Sequence, residues 1–414
     1  MNPATETGQA HHLISSAQGR PAEDPIFAIH NEAVRRAAEG ESVIDASLGA
    51  LLDDQGRVAV LPAVFQALRD VDPSRAAAYA PIAGDTPFRE AVIRDVFGTD
   101  DAAGRAVCVA TAGGTGAIFA AVVNFVEDGH ALYTSDLHWG PYRTIADHTR
   151  RSVETFPMFA DGRFNMAGFE AGLMELGKRQ GKVLVLLNFP CHNPTGYSLD
   201  DEEWTQVTAA LSRAAQCFAV TVLMDVAYAR YALADVARWQ THLGAIVEQV
   251  PLLVAWSASK SYAQYGARVG ALVAVIHDAD ERARVLNAMT YSCRGTWSNC
   301  NHLGILAVAS LLEDADRASA ADRERDLLIK LMDERVAAFN LAASAAGLSY
   351  PRYEAGFFVT IFTPDPARTA AVCGEHGVFI VPVKGAVRVG LCATPKASIQ
   401  RLVDSLAQGV EAAS

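Results

Sequence analysis

The sequence predicts an α/β protein: a mostly parallel sheet covered by helices on both faces, with a smaller α+β lobe attached. Three observations carry this. Between about residues 105 and 275, short apolar runs alternate with longer amphipathic stretches, as expected for parallel strands buried on both faces. After residue 302 the pattern changes to long helix followed by short strands. The chain has 414 residues, 50% of them hydrophobic and 20% charged, enough for two domains or one large domain with a lobe.

The elements follow in chain order. Met1–Asp24 is polar and rich in Ala, Gly, Thr and Gln, without a basic stretch leading into an apolar one; it reads as a flexible arm with no signal peptide. His11-His12 is too short and isolated to mark a metal site. Pro25–Gly40 reads as a helix that leads into the first strand and belongs with the terminal lobe. The strands of the sheet are expected at 106–111, 131–135, 183–188, 218–225, 252–257 and 269–275, each a compact apolar run. Helices are expected between several of them, at 115–126, 165–179 and 200–214. Residues 302–346 read as one long helix with charged faces. Short strands follow at 357–362, 378–381 and 387–391, and residues 396–409 form a closing helix. The expected division is an arm at 1–24, the N-terminal part of a small domain at 25–58, a large domain at 59–305 and a small C-terminal domain at 306–414.

Bulk properties exclude several classes. The net charge of -12 argues against a nucleic-acid partner, which requires a basic face. The seven cysteines at 108, 191, 217, 293, 300, 373 and 392 are odd in number and contain no Cys-x-x-Cys pair. They suit a reducing cytoplasm and give neither a disulfide framework nor a zinc site. No apolar run reaches membrane-spanning length.

In open α/β sheets ligands collect beyond the carboxyl ends of the strands, and Ser135, Asn188, Asp225 and Ser257 all fall there. Four constellations deserve weight. The turn Thr111-Ala-Gly-Gly-Thr115-Gly-Ala117 links a strand to a helix, so its amides and the helix N-terminus can meet an anion; such turns are also made for purely structural reasons. Asp225 ends a buried strand, where a carboxylate needs a cationic partner, and Tyr228 lies three residues on. The plainer role for Asp225 is helix capping. Lys260 stands in Trp256-Ser257-Ala258-Ser259-Lys260-Ser261-Tyr262, after the apolar run 251–256, with Arg268 eight residues later. Burial lowers an amine's pKa and frees its lone pair, while the serines and Arg268 can hold a phosphate beside it. The alternative is a solvated loop lysine. Arg388, between Val387 and Val389, points at a buried anion rather than solvent, and Arg294 in Ser292-Cys-Arg294-Gly-Thr-Trp297 is a second carboxylate candidate.

Taken together and in order, these motifs give the chain a family resemblance. Cys191-His-Asn193-Pro-Thr-Gly196, Asp225-x-x-Tyr228, Ser257-Ala-Ser259-Lys260 with Arg268, and Arg388 resemble those of fold-type I pyridoxal-phosphate enzymes. The match is to the class I aminotransferases of the aspartate and aromatic group, from about Asp24 onward. The resemblance implies a large domain with a seven-stranded, mostly parallel sheet. It implies that Lys260 carries pyridoxal 5'-phosphate covalently and later shuttles a proton. Asp225 would keep the pyridine nitrogen protonated, Tyr228 and Asn193 would bond the ring oxygen, and Trp139 would stack on the ring. Gly114, Thr115, Ser257, Ser259 and Arg268 would cradle the phosphate, which Tyr79 would reach from the neighbouring subunit. Arg388 and Gly49 would take the substrate α-carboxylate, and Arg294 would cross from the partner to a distal carboxylate.

Two departures stand out. Asn188 and Tyr142 occupy positions that hold histidines in aspartate-specific members, which argues against strict aspartate specificity. Cys300-Asn301 stands where a Pro-Pro pair is usual, and Phe357-Phe358 suggests an apolar wall near the substrate. The expected function is ping-pong transfer of an amino group between an aromatic or dicarboxylic L-amino acid and a 2-oxo acid such as 2-oxoglutarate, in a cytoplasmic homodimer. The alternative is a lyase, decarboxylase or racemase on the same scaffold. An aminotransferase-like sensor of a transcription regulator is rejected, since only a short polar arm precedes the match and the charge is acidic.

Overall fold

The computed structural model describes residues 12–98, 101–232 and 239–414; residues 1–11 of the expected arm, with His11, lie outside these. The central sheet has seven strands in the spatial order Ala106–Ala112, Val269–Val275, Leu252–Ser257, Ala219–Asp225, Lys182–Leu187, Ala131–Ser135 and Ser152–Phe156. Six match the expected apolar runs to within a residue. The seventh, Ser152–Phe156, pairs with Ala131–Ser135 at the sheet edge. Its sequence, Ser-Val-Glu-Thr-Phe, is polar because an edge strand is only partly covered, and so it carries no apolar signal.

All neighbours pair in parallel except Val269–Val275, which runs antiparallel to both of its neighbours. The inner strands are apolar throughout because helices cover both faces. Successive residues alternate between the two cores: Val254 and Trp256 pack on one face, Leu253 and Ala255 on the other. Helix boundaries follow local capping. Asn165 caps Met166–Gln180 through Gly168 N, and Asp200 with Glu203 forms a reciprocal capping box at the start of Asp201–Ala215.

The long helix expected over 302–346 is two helices, His302–Glu313 and Ala315–Ala345. Asp314 leaves the helical conformation, and its side chain accepts hydrogen bonds from the amides of Asp316 and Arg317. Asp favours such N-caps over helix interiors, so charged periodicity ran across a break. The 31-residue second helix spans about 46 Å at 1.5 Å per residue and touches two cores. Ala321 packs with the large sheet, and Met332, Val336 and Phe339 pack with the terminal lobe. That lobe holds Phe358–Phe362, Ala386–Gly390 and Val381–Val383 in an antiparallel sheet, plus Ile44–Asp45 paired in parallel with Val378–Phe379. Helix Pro25–Ala38 opens with Pro at its first turn and Asp24 as cap. No helix among the described residues is long and apolar enough to cross a membrane.

Candidate active site

The carboxyl ends of the parallel strands open into a cavity of about 430 Å³. Eleven residues singled out in the sequence line it: Gly114, Thr115, Trp139, Asn188, Asn193, Asp225, Tyr228, Ser257, Ser259, Lys260 and Arg268. They come from four strand ends and from the N-terminus of helix Gly113–Phe125. The sheet brings them together because neighbouring strands end side by side.

One wall is an anion cradle. Gly113, at φ 71°, turns strand Ala106–Ala112 into its helix. A side chain there would strike the Arg268 guanidinium, 2.4 Å from a built Cβ. Gly270 likewise passes so close to Gly113 that a Cβ would lie 2.4 Å from its carbonyl carbon. Only glycine permits this approach, which lays Arg268 against the turn. Arg268 donates to Ser259 Oγ at 3.3 Å and to the Tyr265 carbonyl at 2.9 Å. The site therefore joins a helix N-terminus, two serines and a guanidinium, the donor set a phosphate takes.

Asp225 presents the opposite charge. Its Oδ2 accepts from Tyr142 Oη at 2.6 Å and its Oδ1 from the Ala227 amide at 3.2 Å. Desolvation raises its pKa, opposed by the Tyr142 and Ala227 hydrogen bonds and by Lys260. A buried carboxylate in this state favours a cationic partner. Asn188 donates to the Asp225 carbonyl at 2.8 Å and accepts from the Asn193 amide at 2.7 Å, tying two site loops together. Asn193 Nδ2 meets Tyr228 Oη at 3.3 Å, while Asn193 Oδ1 is buried without a partner. That orphaned atom and the phenol beside it call for a polar ligand atom.

Lys260 lies between these walls. Desolvation lowers its pKa to about 8, with Arg268 and Arg388 acting in the same direction and Cys392 and Asp225 opposing. Its Nζ sits 4.8 Å from the Tyr265 ring centroid and 5.8 Å from that of Tyr228. The donor set, the orphaned amide and the depressed amine fit pyridoxal phosphate, whose phosphate the cradle would hold, with Asp225 available to its ring nitrogen and Lys260 to its carbonyl carbon.

Arg388 and Gly49 belong to the terminal lobe and are not among the lining residues, although Arg388 is close enough to lower the Lys260 pKa. Arg388 is buried, stacks 4.5 Å over the Phe358 ring, and donates from Nη2 to the Ser47 carbonyl at 2.6 Å. Its Nε has no partner, so part of its fork is open to an anion. Gly49 packs on the same ring, where a Cβ would lie 3.0 Å from Phe358 Cζ. Tyr79 and Arg294 stand apart from the cavity. Tyr79 is 90% exposed, and Arg294 is exposed and bonded to Ser298 Oγ at 2.7 Å.

Several lining residues carried no site signal in the sequence. Phe27 and Ile118 are ordinary helix residues, and Ala227 is small. Asn188 was visible at a strand end; its locking role depends on Asn193 folding back over it. Tyr265, outside the lining but close to Lys260, follows Lys260 by five residues and reads as core until its ring is placed.

Comparisons with known proteins identify the family. The tyrosine aminotransferase of Klebsiella pneumoniae is 28% identical over 360 residues, covering 84% of this chain and 88% of the relative. The aspartate aminotransferase of Pseudomonas aeruginosa is 27% identical over 420 residues, covering 96% and 99%. Among solved structures, an aminotransferase from Anaerococcus prevotii superposes with a TM-score of 0.91 at 31% identity, covering 97% of this chain and all of that one. The sequence profile of aminotransferase class I and II matches residues 41–406, and the chain belongs to that family.

Proposed function

We propose that the protein is a pyridoxal-phosphate-dependent aminotransferase acting between an aromatic or dicarboxylic L-amino acid and a 2-oxo acid such as 2-oxoglutarate. One observation carries the reading: Lys260, Asp225 and Arg268 line a single cavity. When bound, pyridoxal phosphate supplies an electrophilic carbon and an electron-withdrawing ring.

The chain's own residues do the rest. Gly114, Thr115, Ser257, Ser259 and Arg268 would hold the phosphate, and Trp139 would offer a ring face. Asp225, whose charge the Tyr142 and Ala227 hydrogen bonds favour against desolvation, would hold a proton on the ring nitrogen. Tyr228 and Asn193, 3.3 Å apart, would hydrogen-bond the ring oxygen. Arg388 grips the substrate α-carboxylate beside Gly49, which orients the Cα–H toward Lys260. Lys260 Nζ would then take that proton from Cα and deliver it to the cofactor side rather than back to Cα, a role its pKa of about 8 suits near neutral pH. Amino acid and oxo acid need the same carboxylate grip, so they use the site in turn, which is ping-pong behaviour.

The protein acts as a homodimer in this reading. Its supports are the family resemblance, the exposure of Tyr79, and the position of Arg294 outside its own chain's cavity; Tyr79 and Arg294 complete the partner's site. A cytoplasmic location belongs to the same proposal, supported by seven unpaired cysteines. Relatives named as aminotransferases favour transamination over elimination, decarboxylation or racemisation. The test is to assay aspartate, glutamate, phenylalanine, tyrosine and tryptophan against several oxo acids, with Lys260→Ala as control. Oxo-acid release matched one-to-one by a new amino acid is expected, with turnover lost in Lys260→Ala. Release of ammonia or carbon dioxide instead, or wild-type turnover by Lys260→Ala, overturns the reading.

A further inference from the structure

Tyr265 touches both halves of the site from one side chain. It is not among the residues lining the cavity, and no step above uses it. Its ring face lies 4.8 Å from Lys260 Nζ, within the range where an aromatic face attracts an ammonium. Its hydroxyl accepts the amide hydrogen of Leu51 at 2.9 Å. Leu51 lies two residues past Gly49 in the terminal-lobe segment whose Ser47 carbonyl receives Arg388. Leu51 itself is fully buried, so its amide has no solvent to fall back on. The Tyr265 carbonyl also accepts from Arg268. One residue thus contacts the amine, the phosphate-binding arginine and the carboxylate-binding segment.

We propose that Tyr265 is a positioning residue that seats the Lys260 amine on its ring face and anchors the Gly49 segment through its hydroxyl. The proposal rests on the aminotransferase reading above. During turnover the lysine must leave the cofactor and come back, and a ring beneath it limits where the free amine can go. The hydroxyl joins the large sheet's lysine loop to the segment that meets the substrate carboxylate. Chemistry and substrate grip are therefore held by separable parts of one side chain.

Two variants of the loaded enzyme separate the parts. Tyr265→Phe keeps the ring and deletes the link to Leu51. Its kcat stays within about twofold, while KM for the amino acid rises about fivefold, as for a lost hydrogen bond. The Kd for unreactive 3-phenylpropanoate, measured by calorimetry, rises by the same factor. Tyr265→Leu loses the ring as well, and its kcat falls by about tenfold or more, with the Phe variant standing as its conservative rescue. Borohydride trapping and mass spectrometry of the Lys260 adduct accompany each variant. A Phe variant that binds 3-phenylpropanoate like the wild type overturns the Tyr265 assignment. Equal losses of kcat and KM in both variants also overturn it, since they indicate only a loosened fold. A wild-type chain with no trapped adduct at Lys260 overturns the aminotransferase reading, and this proposal with it.

Discussion

Tyr142 donates a 2.6 Å hydrogen bond to Asp225 Oδ2 with both side chains buried. Burial pushes the Tyr142 phenol well above its ordinary pKa, and the Asp225 charge adds to the effect. The phenol therefore stays protonated and remains a donor at any physiological pH. It also packs edge-on against Trp139 at 5.4 Å between centroids, so one ring supports both Asp225 and Trp139.

Removing that donor while keeping the ring, as in Tyr142→Phe, leaves Asp225 less able to stay ionised. A hydrogen bond to a charged group contributes about 1.5–3 kcal/mol. Pyridoxal-phosphate affinity is expected to fall by about tenfold or more in an absorbance titration. A Kd unchanged within about twofold would show that the Ala227 amide alone holds the carboxylate.

The Lys260 amine predicts a pH dependence. Its folded value of about 8 lies below the ordinary 10.5 because burial penalises the charge. Covalent uptake of pyridoxal phosphate by the cofactor-free chain should rise with pH and level off near 8, where a solvated lysine would level off near 10.5. The sign for stability follows: the depressed group costs stability while charged in both states, and the cost fades as pH climbs from about 8 toward 10.5. Uptake rates across pH, read by borohydride trapping, check the first part; melting temperatures of the cofactor-free chain check the second.

Arg388→Lys keeps the charge and loses the planar fork that grips a carboxylate at two points. Amino-acid KM should rise about a hundredfold, equivalent to about 2.7 kcal/mol, with a smaller effect on cofactor binding. Equal KM values in mutant and wild type would place the α-carboxylate elsewhere.

Arg294→Ala separates substrate classes. Loss of activity on aspartate and glutamate, with phenylalanine and tyrosine retained, is expected if the arginine reaches a distal carboxylate in the partner's site. Light scattering should show a dimer for both proteins. A fully active monomer would refute the shared site.

Arg335 offers a test of stability away from the chemistry. Fully buried, it donates to the carbonyls of Leu52, Leu391 and Cys392 and to Asp54 Oδ1, at 2.7–3.3 Å. It thereby staples the segment after Gly49 to the end of the Arg388 strand. Arg335→Met should cost about 3 kcal/mol, seen as a lower denaturation midpoint in urea. A shift below about 0.5 kcal/mol would mean that water replaces the guanidinium.

What the sequence could show follows from where each signal is stored. Buried parallel strands are apolar along their whole length, so Leu252–Ser257 and Ala219–Asp225 were visible as runs. Lys260 and Arg268 were visible because they stand eight residues apart, and Asp225 because it ends an apolar run with Tyr228 three residues on. The polar edge strand Ser152–Phe156 was not, since half of it meets solvent. Nor was the antiparallel sense of Val269–Val275, because an apolar run has no direction. Charged periodicity likewise carried the reading straight through the break at Asp314.

By itself, then, the sequence determined the fold class and the family and pointed to most of the residues that line the cavity, because strand periodicity and short motifs are local properties. Only the tertiary structure decided which distant segments meet. Tyr142 reaches Asp225 across 83 residues and Leu51 reaches Tyr265 across 214. Contacts of that kind depend on how strands order themselves in the sheet and how the terminal lobe docks. No local pattern encodes them.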